Sequence, residues 1–551
     1  MGSLHNILPH HQFKQIIITE NDREIFKHLD NFLAPYNEFQ KKSIISTNQK
    51  ILCVAGAGSG KTTVLTKRIE FLIKYKKVDP AKILAITFTR KARYEMQQRL
   101  SNLNIHTNIE TFNSFCEKIL QKYQKQVYGK TVRLMDHQTR IIAFSLAIQT
   151  THVRLDELID LYFSQQQKRA KSKEELTNIL LNDCFFIIDY CKLKKEDLSL
   201  FFQNILSDNK KMIPLLASIC KALEQYISMN GFRTYNDQIY DAVDFLKKNK
   251  AAIPQFDHIL VDEYQDVNKI QVELLDILSS LHLFIVGDPR QSIFGWRGSD
   301  TTQIINFLKK FPQTEVILLT KNYRSTQEIV NLINVSIKDL LLPDLEGINP
   351  QKNEIFLNRF DTEIEESHFI TQKTQELDYK KNKTFVLTRT NKQANTIAAL
   401  FKQKNIPASI KKEDDLSSNK VGEVTISTIH AVKGLEADIV FVLGCTEQNF
   451  PCKYSDNPLA DFLKTGEYDK EAEEKRLFYV ALSRAKNNLY LSYSGKKPTK
   501  FITDEMKSHL TYVDHTSQKE LFYPDEEILQ EIQEDDAPSN HKEDWDDMIS
   551  D

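Results

Sequence analysis

The sequence predicts an α/β protein, because short apolar runs typical of buried strands alternate with amphipathic stretches typical of helices. Two of the apolar runs end in distinctive polar loops. The run at 51–54 leads into the small residues of 55–60 and then into a helical pattern, and the run at 256–261 ends in the adjacent carboxylates Asp262 and Glu263. A site that binds phosphate through the first loop requires carboxylates opposite that loop, and the second loop supplies them.

The small-residue stretch predicts a loop that binds phosphate. Small side chains let backbone N–H groups converge on phosphate oxygens, and the following helix N-terminus adds its positive dipole end. Lys61 is expected to reach the β- and γ-phosphates, and the Thr62 hydroxyl to hold Mg²⁺. The generic phosphate-loop motif has glycine at its first position, where this sequence has Ala55. The alternative to a phosphate-binding loop is an ordinary glycine-containing turn. The loop residues are Ala55, Gly56, Ala57, Gly58, Ser59 and Gly60.

Further polar residues fit the same site. Asp262 is expected to hold Mg²⁺ and Glu263 to polarise the attacking water, although a structural pair of acids is the alternative. A strand at 283–286 leads to Gln291, an amide placed to sense the γ-phosphate. Upstream of the loop, the Gln40 amide offers a donor and an acceptor that suit the N6/N7 edge of adenine. Alone it would be a surface glutamine.

Aromatic residues beside hydroxyl and basic residues mark a candidate nucleic-acid surface. Phe88 and Thr89 end a predicted strand, and Thr111 and Phe112 repeat this chemistry. Hydroxyl and basic groups grip a phosphodiester backbone, and rings stack on bases. The alternative is a core aromatic beside a solvated polar residue, and these segments alone leave it open. A third group, with the same alternative, comprises Phe294, Trp296 and Arg297.

Composition limits the class of protein without naming a partner. A chain of 551 residues with 41% hydrophobic and 27% charged residues should form several globular domains. The net charge of −2 can conceal a basic body, because the C-terminal region is very acidic. The seven cysteines are scattered without a Cys-x-x-Cys pair, so reduced thiols are expected. No signal-type or membrane-length apolar run is present, which favours a cytoplasmic protein.

Together these segments resemble the UvrD/Rep/PcrA-like DNA helicases of superfamily 1A, over about residues 37–494. The resemblance rests on the Ala-x-x-Gly-x-Gly-Lys-Thr form of the loop, on Asp-Glu-Tyr-Gln-Asp, and on Gly-Asp-x-x-Gln-Ser-Ile-Phe-x-Trp-Arg-Gly, in that order. It implies two RecA-like P-loop domains, with ATP and Mg²⁺ between them and single-stranded DNA running across their tops.

The second half of the chain carries the remaining motifs of the resemblance. Residues 319–325 look like motif IV, in which Tyr323 would stack on adenine and Arg324 would reach the γ-phosphate. Residues 474–485 look like motif VI, in which Arg484 would be a second arginine finger. Such fingers stabilise the charge on the transferring phosphoryl oxygens.

Residues 424–436 look like motif V, which links the nucleotide to the DNA strand; Glu436 is expected on the nucleotide side and His430 on the DNA side. Three positions depart from the family pattern. Thr63 replaces an arginine that sandwiches adenine in the family. Arg90 replaces the asparagine of motif Ia, and Ala437 replaces an aromatic residue after motif V.

The resemblance also predicts a domain order. The interval between motifs IV and V is too short for the large 2B insertion of the family, so 2B is expected to be absent or vestigial. The acidic tail is expected to be disordered, and an aromatic among its acids suggests a docking peptide for a protein partner. The predicted segments are a lead-in at 1–36, domain 1A at 37–115 and 256–312, a helical 1B insertion at 116–255, domain 2A at 313–500, and the tail at 501–551.

The expected activity is that of an ATP-dependent helicase or translocase moving 3′ to 5′ on single-stranded or 3′-tailed DNA, in repair, replication or phage defence. The polarity comes from the resemblance alone. The alternative is a DNA-stimulated NTPase switch that senses DNA and regulates a partner without processive unwinding.

Overall fold

The computed structural model describes residues 16–194, 196–204, 211–295, 302–412, 420–452 and 469–516. In chain order its strands are β1 Lys50–Ala55, β2 Ile83–Thr87, β3 Asn108–Thr111, β4 Arg133–Leu134, β5 Phe232–Arg233, β6 His258–Val261, β7 His282–Gly287, β8 Glu315–Leu319, β9 Lys321–Thr326, β10 Glu346–Asn349, β11 Phe356–Phe360, β12 Thr384–Thr388, β13 Ala408–Lys411, β14 Val424–Thr428, β15 Ala437–Val442, β16 Ala485–Ser494 and β17 Thr511–Asp514.

Helices cover both sheets and fill the segment between β3 and β6. Their bounds are Glu20–His28, Asp30–Leu33, Glu38–Ile45, Lys61–Lys74, Arg90–Ser101, Phe112–Lys122, Gln124–Tyr128, His137–Thr151, Leu155–Tyr162, Gln165–Ala170, Lys173–Lys194, Leu198–Asn204, Met212–Met229, Tyr235–Lys248, Lys269–Leu278, Thr302–Lys310, Gln327–Ser336, Glu363–Glu376, Asn391–Gln403, Lys470–Leu482 and Asp504–Lys507. None of the helices in these described ranges is long and apolar enough to cross a membrane.

The first sheet has six parallel strands in the order β3-β2-β6-β7-β1-β8. Its central strands are buried on both faces, which explains their near-continuous apolar sequences. Because the strands are parallel, the loop after β1 and the carboxylates after β6 open at the same carboxyl edge. The two polar loops predicted from the sequence therefore share one edge of the sheet.

The second sheet has seven parallel strands in the order β13-β14-β12-β15-β16-β11-β17. A two-stranded ribbon of β9 and β10 lies between the sheets in sequence. Two separate parallel sheets covered by helices confirm the predicted α/β class with two RecA-like domains. The sequence pattern also predicts strands at 354–360, 384–390, 438–443 and 488–494, and these appear as β11, β12, β15 and β16.

Two predicted boundaries differ from the structure. The change of domain was placed at 313, yet β8 pairs with β1 from Ile51↔Glu315 to Ala55↔Leu319 and so belongs to the first sheet. The tail was placed from 501, yet β17 pairs with β11, and Phe501 is buried in the core of the second sheet. Long-range pairing decides both boundaries, and local sequence pattern does not report it. The rest of the predicted tail, 517–551, lies outside the described residues.

Apart from the two short paired strands β4 and β5, the described segment between β3 and β6 is helical. The residues that form its separate core span a shorter range than the predicted insertion at 116–255. The helices from His137–Thr151 to Met212–Met229 bury a core of their own. The helices Phe112–Lys122 and Tyr235–Lys248 instead pack into the core of the first sheet. Between β9 and β14, the described residues contain β10–β13 and three helices that cover the second sheet, with no additional domain.

The assignment of β8 to the first sheet predicts a stability effect. Ile317 is fully buried in the core beneath β1, so Ile317→Ala should lower the free energy of unfolding by about 2–5 kcal/mol. Ile348 in β10 is 41% exposed, and Ile348→Ala should change it by less than about 0.5 kcal/mol. Urea unfolding followed by far-UV circular dichroism measures both. Equal effects of the two substitutions would contradict the placement of β8.

Candidate nucleotide-binding site

The loop between β1 and the helix Lys61–Lys74 has the backbone that phosphate binding requires. Gly58 and Gly60 have φ angles of 67° and 85°, in the left-handed region that glycine adopts most easily. Ser59 Oγ donates to the Gly56 carbonyl at 2.8 Å and closes the turn. A helix of four turns then begins at Lys61, so its free N–H groups lie beside the loop.

Lys61 and Gln40 are both tied to this loop. Lys61 Nζ donates to the carbonyls of Ala55 and Gly56 at 3.1 and 3.3 Å. Gln40 is buried; its Nε2 donates to the Ser59 carbonyl at 2.9 Å, and its Oε1 accepts from the backbone N–H of Asn37. The Gln40 amide therefore positions the loop in this structure, and its contact with adenine stays a prediction.

The carboxylates lie where β6 ends. The Asp262 backbone continues the sheet by donating to the Ile86 carbonyl, and its Oδ1 accepts from the N–H of Glu263 at 2.9 Å. Glu263 has a left-handed backbone with a φ angle of 50°, a conformation that non-glycine residues adopt at a cost and that often accompanies functional sites. Gln265 Nε2 donates to Glu263 Oε2 at 2.6 Å and fixes that side chain.

Electrostatics at this edge suit a divalent cation. Burial and the neighbouring Glu263 carboxylate raise the pKa of Asp262 to about 7, against the lowering effect of Lys61. Burial also raises the pKa of Glu263, but Lys61 and Lys433 outweigh it and hold that pKa below its usual value. The buried carboxylate of Asp262 and the partly exposed carboxylate of Glu263, whose charges are incompletely compensated, form a hard oxygen donor set. Thr62, the other predicted ligand, lies in the first turn of the helix after the loop.

Arg484 from the second half of the chain reaches the first sheet. Its side chain is 1% exposed, and Nη2 donates to Gln291 Oε1 at 3.0 Å. Nη1 donates to the Leu435 carbonyl at 3.1 Å. Burial, followed by the charge of Arg324, lowers the pKa of Arg484 to about 9. A buried arginine bonded to Gln291 joins two of the predicted catalytic residues across the two domains.

Arg324 is fixed next to Arg484. Its Nε donates to Glu436 Oε2 at 2.7 Å, and its Nη1 donates to the Ser483 carbonyl at 3.0 Å. Burial raises the pKa of Glu436, but Arg324 and Lys486 lower it more, to about 2. Glu436 is therefore an anion that holds Arg324 in place. Tyr323 is 45% exposed, and its hydroxyl accepts from Asn37 Nδ2 at 2.7 Å.

Asn322 makes the most direct link between the loop and the second half of the chain, and the sequence analysis did not single it out. Its side chain is fully buried, Nδ2 donates to the Ala57 carbonyl at 2.9 Å, and Oδ1 accepts from the N–H groups of Arg324 and Ser325. The backbone N–H of Tyr323 donates to the Gly58 carbonyl at 3.0 Å. The position of Asn322 directly before Tyr323 and Arg324 was the only sequence feature that could have identified it as a site residue.

Lys433 is a second residue that the sequence analysis did not select. Its ammonium pairs with Asp266 and donates to the Gln291 carbonyl, and it lies 4.9 Å from the centre of the Phe294 ring. A lysine in a loop is usually solvated. The only sequence feature that indicated a role for Lys433 was its position inside the motif V pattern. It joins the segment after β14 to the carboxylate and glutamine segments of the first sheet.

The predicted DNA-contact residues fall into different environments. Phe88 and Phe294 stack with ring centres 5.5 Å apart, and the Phe294 ring lies 6.3 Å from His430. The three side chains therefore lie together, although Phe294 is only 3% exposed. Trp296 and Arg297 lie outside the described residues.

The hydroxyl residues of the predicted DNA surface have local structural roles. Thr89 caps the helix Arg90–Ser101, and Thr111 caps the helix Phe112–Lys122, each by accepting a backbone N–H at 3.1 Å. Phe112 is 3% exposed in the core of the first sheet. The structure therefore gives Phe112 a packing role in this conformation, and its contact with DNA stays a prediction.

The three departures from the family pattern are also located. Thr63 Oγ1 accepts from Arg99 Nη1 at 3.3 Å, so a guanidinium from another helix reaches the position of the missing arginine. Ala437 is fully buried at the start of β15, and its N–H donates to the Arg484 carbonyl. Arg90 is exposed at the first turn of its helix.

Comparison with known proteins agrees with this geometry. The UvrD/REP helicase N-terminal domain matches residues 36–312, which is half of the chain. The UvrD-like helicase C-terminal domain matches residues 317–416 and 407–496. The chain belongs to the UvrD/REP helicase family. The first matched region ends at residue 312, and the second begins at residue 317. This boundary lies just before or inside β8, the last strand of the first sheet in chain order.

Individual relatives of this family are about 30% identical to this chain over the aligned residues. A "Probable DNA helicase" of Mycoplasma pneumoniae is 29% identical over 502 residues, covering 86% of this chain and 87% of that protein. The "ATP-dependent DNA helicase PcrA" of Leuconostoc citreum is 31% identical over 392 residues, and that of Staphylococcus aureus 30% over 400 residues. These matches cover 49% and 51% of the PcrA proteins, so the chain spans about half of their length.

The contact between the loop and motif IV predicts the effect of crowding Gly58. A Cβ there would lie 2.7 Å from Arg324 Cβ and 2.8 Å from Asn322 Oδ1, so Gly58→Ala must push the two halves of the site apart. We expect ATP hydrolysis to fall at least about 100-fold, as for loss of a preorganised charge-stabilising group.

Gly422 is a matched control for backbone strain. Its φ angle of 93° is also positive, but a Cβ there meets nothing within 4 Å. Gly422→Ala carries the strain of about 1–2 kcal/mol without crowding and should leave steady-state hydrolysis nearly unchanged. Equal losses in both variants would show that strain, and not the contact with motif IV, determines activity.

Proposed function

We propose that this chain is an ATP-dependent DNA helicase or translocase. The observation that carries the proposal is the convergence of groups from both sheets on one phosphate-binding loop: Asn322 bonds to Ala57, and Arg484 bonds to Gln291. A nucleotide held by groups from two domains couples its hydrolysis to their relative movement. Membership of the UvrD/REP family and the PcrA relatives support ATP as the nucleotide and DNA as the track.

Each site residue has a proposed part in hydrolysis. Lys61 and the loop N–H groups bind the β- and γ-phosphates. Thr62 and Asp262 would hold Mg²⁺, which would neutralise phosphate charge. Glu263 accepts a proton from the attacking water. Arg324 and Arg484 stabilise charge on the transferring phosphoryl group. Gln40, Thr63 and Tyr323 border the base, and Glu436 holds Arg324 through their 2.7 Å hydrogen bond.

Loss of the γ-phosphate is proposed to change the grip on DNA. Gln291 accepts from Arg484 and, through its backbone carbonyl, from Lys433, while Lys433 lies over Phe294. A shift of Gln291 is thereby passed to the aromatic cluster of Phe88, Phe294 and His430. We propose that this cluster, with Thr89, Thr111, Phe112, Trp296 and Arg297, borders the single strand. Alternating grip by the two domains then moves the chain 3′ to 5′.

The proposed domains follow the sheets. Domain 1A comprises 37–115 with 256–319, the helical 1B insertion lies between these parts with its own core, and domain 2A comprises 320–516. The described elements between β9 and β14 are β10, which pairs with β9, three strands of the second sheet, and the helices that cover this sheet. This content supports the absence of a 2B domain. This absence favours the second candidate function, a DNA-stimulated NTPase switch that regulates a protein partner without processive unwinding.

A strand-displacement assay tests the proposal. Purified protein with ATP and Mg²⁺ should release the labelled strand of a duplex with a 3′ single-stranded tail and leave a 5′-tailed duplex intact. Lys61→Ala should abolish both strand release and DNA-stimulated hydrolysis, since the loop loses its phosphate-binding cation. Thermal unfolding should be unchanged in this variant.

Lys74→Ala is the matched control, because Lys74 lies on the same helix with a half-exposed side chain paired to Glu70. It should retain full activity. DNA-stimulated hydrolysis without strand release would favour the switch over the helicase, and release from the 5′-tailed duplex would reverse the polarity. Hydrolysis retained by Lys61→Ala would overturn the assignment of the nucleotide site.

A further inference from the structure

A basic cavity lies at one edge of the second sheet, away from the nucleotide loop. It has a volume of about 500 Å³ and is bordered by β11, β17 and the segment that follows β16. Its buried lining is apolar and aromatic, with Leu357, Tyr493 and Ile502 each 3% exposed. Its exposed lining carries four lysines: Lys496, Lys497, Lys500 and Lys507.

The positive charge around this cavity is only partly balanced. Lys500 pairs with Glu471 at 2.6 Å, and Lys507 pairs with Asp504 at 2.8 Å. Lys496 and Lys497 form no ion pair with any residue that the structure describes. The cavity therefore combines an apolar lining with adjacent uncompensated cations. Such a site suits an aromatic side chain flanked by carboxylates.

The sequence after β17 has this chemistry. Residues 517–551 contain 13 of the 75 acidic residues and two lysines, a net charge of −11, so residues 1–516 carry +9. Within this segment Trp545 is flanked on both sides by pairs of acids, Glu543-Asp544 and Asp546-Asp547. The last described residue, 516, follows β17 by two positions, and Tyr512 of β17 lines the cavity. The acidic segment therefore continues from the edge of the sheet where the cavity lies.

We propose that residues 543–549 dock in this cavity of the same chain. The Trp545 ring occupies the apolar lining, and the four flanking carboxylates face the lysines. The 28 residues between 516 and Trp545 span up to about 3.3–3.6 Å each, which is ample to return to the edge they leave. Tethering raises the effective concentration of the segment to the millimolar range. Because exposed ion pairs are individually weak and screened, docking depends on ionic strength.

Tryptophan fluorescence tests the proposal in the full-length chain. The sequence has two tryptophans, so Trp296→Phe leaves Trp545 as the sole reporter. At low salt we expect blue-shifted Trp545 emission that is protected from acrylamide. Both properties should be lost on adding salt to about 1 M, where the Debye length falls to about 3 Å. Adding Lys496→Glu and Lys497→Glu should produce the exposed spectrum at low salt.

Lys402→Glu with Lys404→Glu is the matched control. Both lysines are exposed at the end of the helix Asn391–Gln403, which packs near β13 at the opposite edge of the same sheet. This variant has the same net charge and should keep the docked spectrum. An exposed Trp545 spectrum at low salt in the chain that carries only Trp296→Phe would overturn the proposal. Equal changes of Trp545 emission in the two double variants would also overturn it.

Two further outcomes also count against it. A blue shift that grows with protein concentration would place the segment on a second copy of the chain. Weaker binding of an oligothymidylate to the Lys496→Glu and Lys497→Glu variant, with unchanged Trp545 emission, would assign the lysines to nucleic acid instead.

Discussion

The structure depends on the contact between motif IV and the phosphate loop. Asn322 is fully buried and bonds at once to the Ala57 carbonyl and to the N–H groups of its own segment. One amide thus fixes the distance between the loop and Arg324. A buried polar side chain is tolerated only when its groups are paired. Any separation of the two domains therefore breaks hydrogen bonds that water must replace.

A second set of buried contacts makes the interface responsive to charge. Arg484 is 1% exposed, yet the polar groups that its guanidinium reaches are Gln291, the Ser483 hydroxyl and two carbonyls, all uncharged. An arginine buried without a directly bonded carboxylate carries an uncompensated positive charge. A γ-phosphate beside Gln291 would supply the missing anion. Under the proposed function, nucleotide binding and domain closure would both supply this missing negative charge.

Much of this arrangement could be predicted from the sequence, because its signals are local. The loop at 55–60, the carboxylates after β6 and the strands near 354–360 and 384–390 follow from apolar runs and turn residues within one segment. β8 and β17 were assigned to the wrong segments because pairing with β1 and β11 is long-range. Lys433 and Asn322 were passed over because their partners lie far away in sequence. Phe112 packs in the core of the first sheet, a role that the sequence pattern of an aromatic beside a hydroxyl could not distinguish from a DNA contact.

The central claim is that groups from the second sheet act on a nucleotide held by the first. Single-turnover hydrolysis at saturating ATP tests it most directly, using Arg324→Ala and, as control, Arg359→Ala, whose arginine pairs with Asp514 in the same domain. The account predicts a loss of about 10³-fold or more for Arg324→Ala, with ATP affinity within a few-fold of the unchanged protein, and no loss for Arg359→Ala. Hydrolysis by Arg324→Ala at the unchanged rate would contradict it.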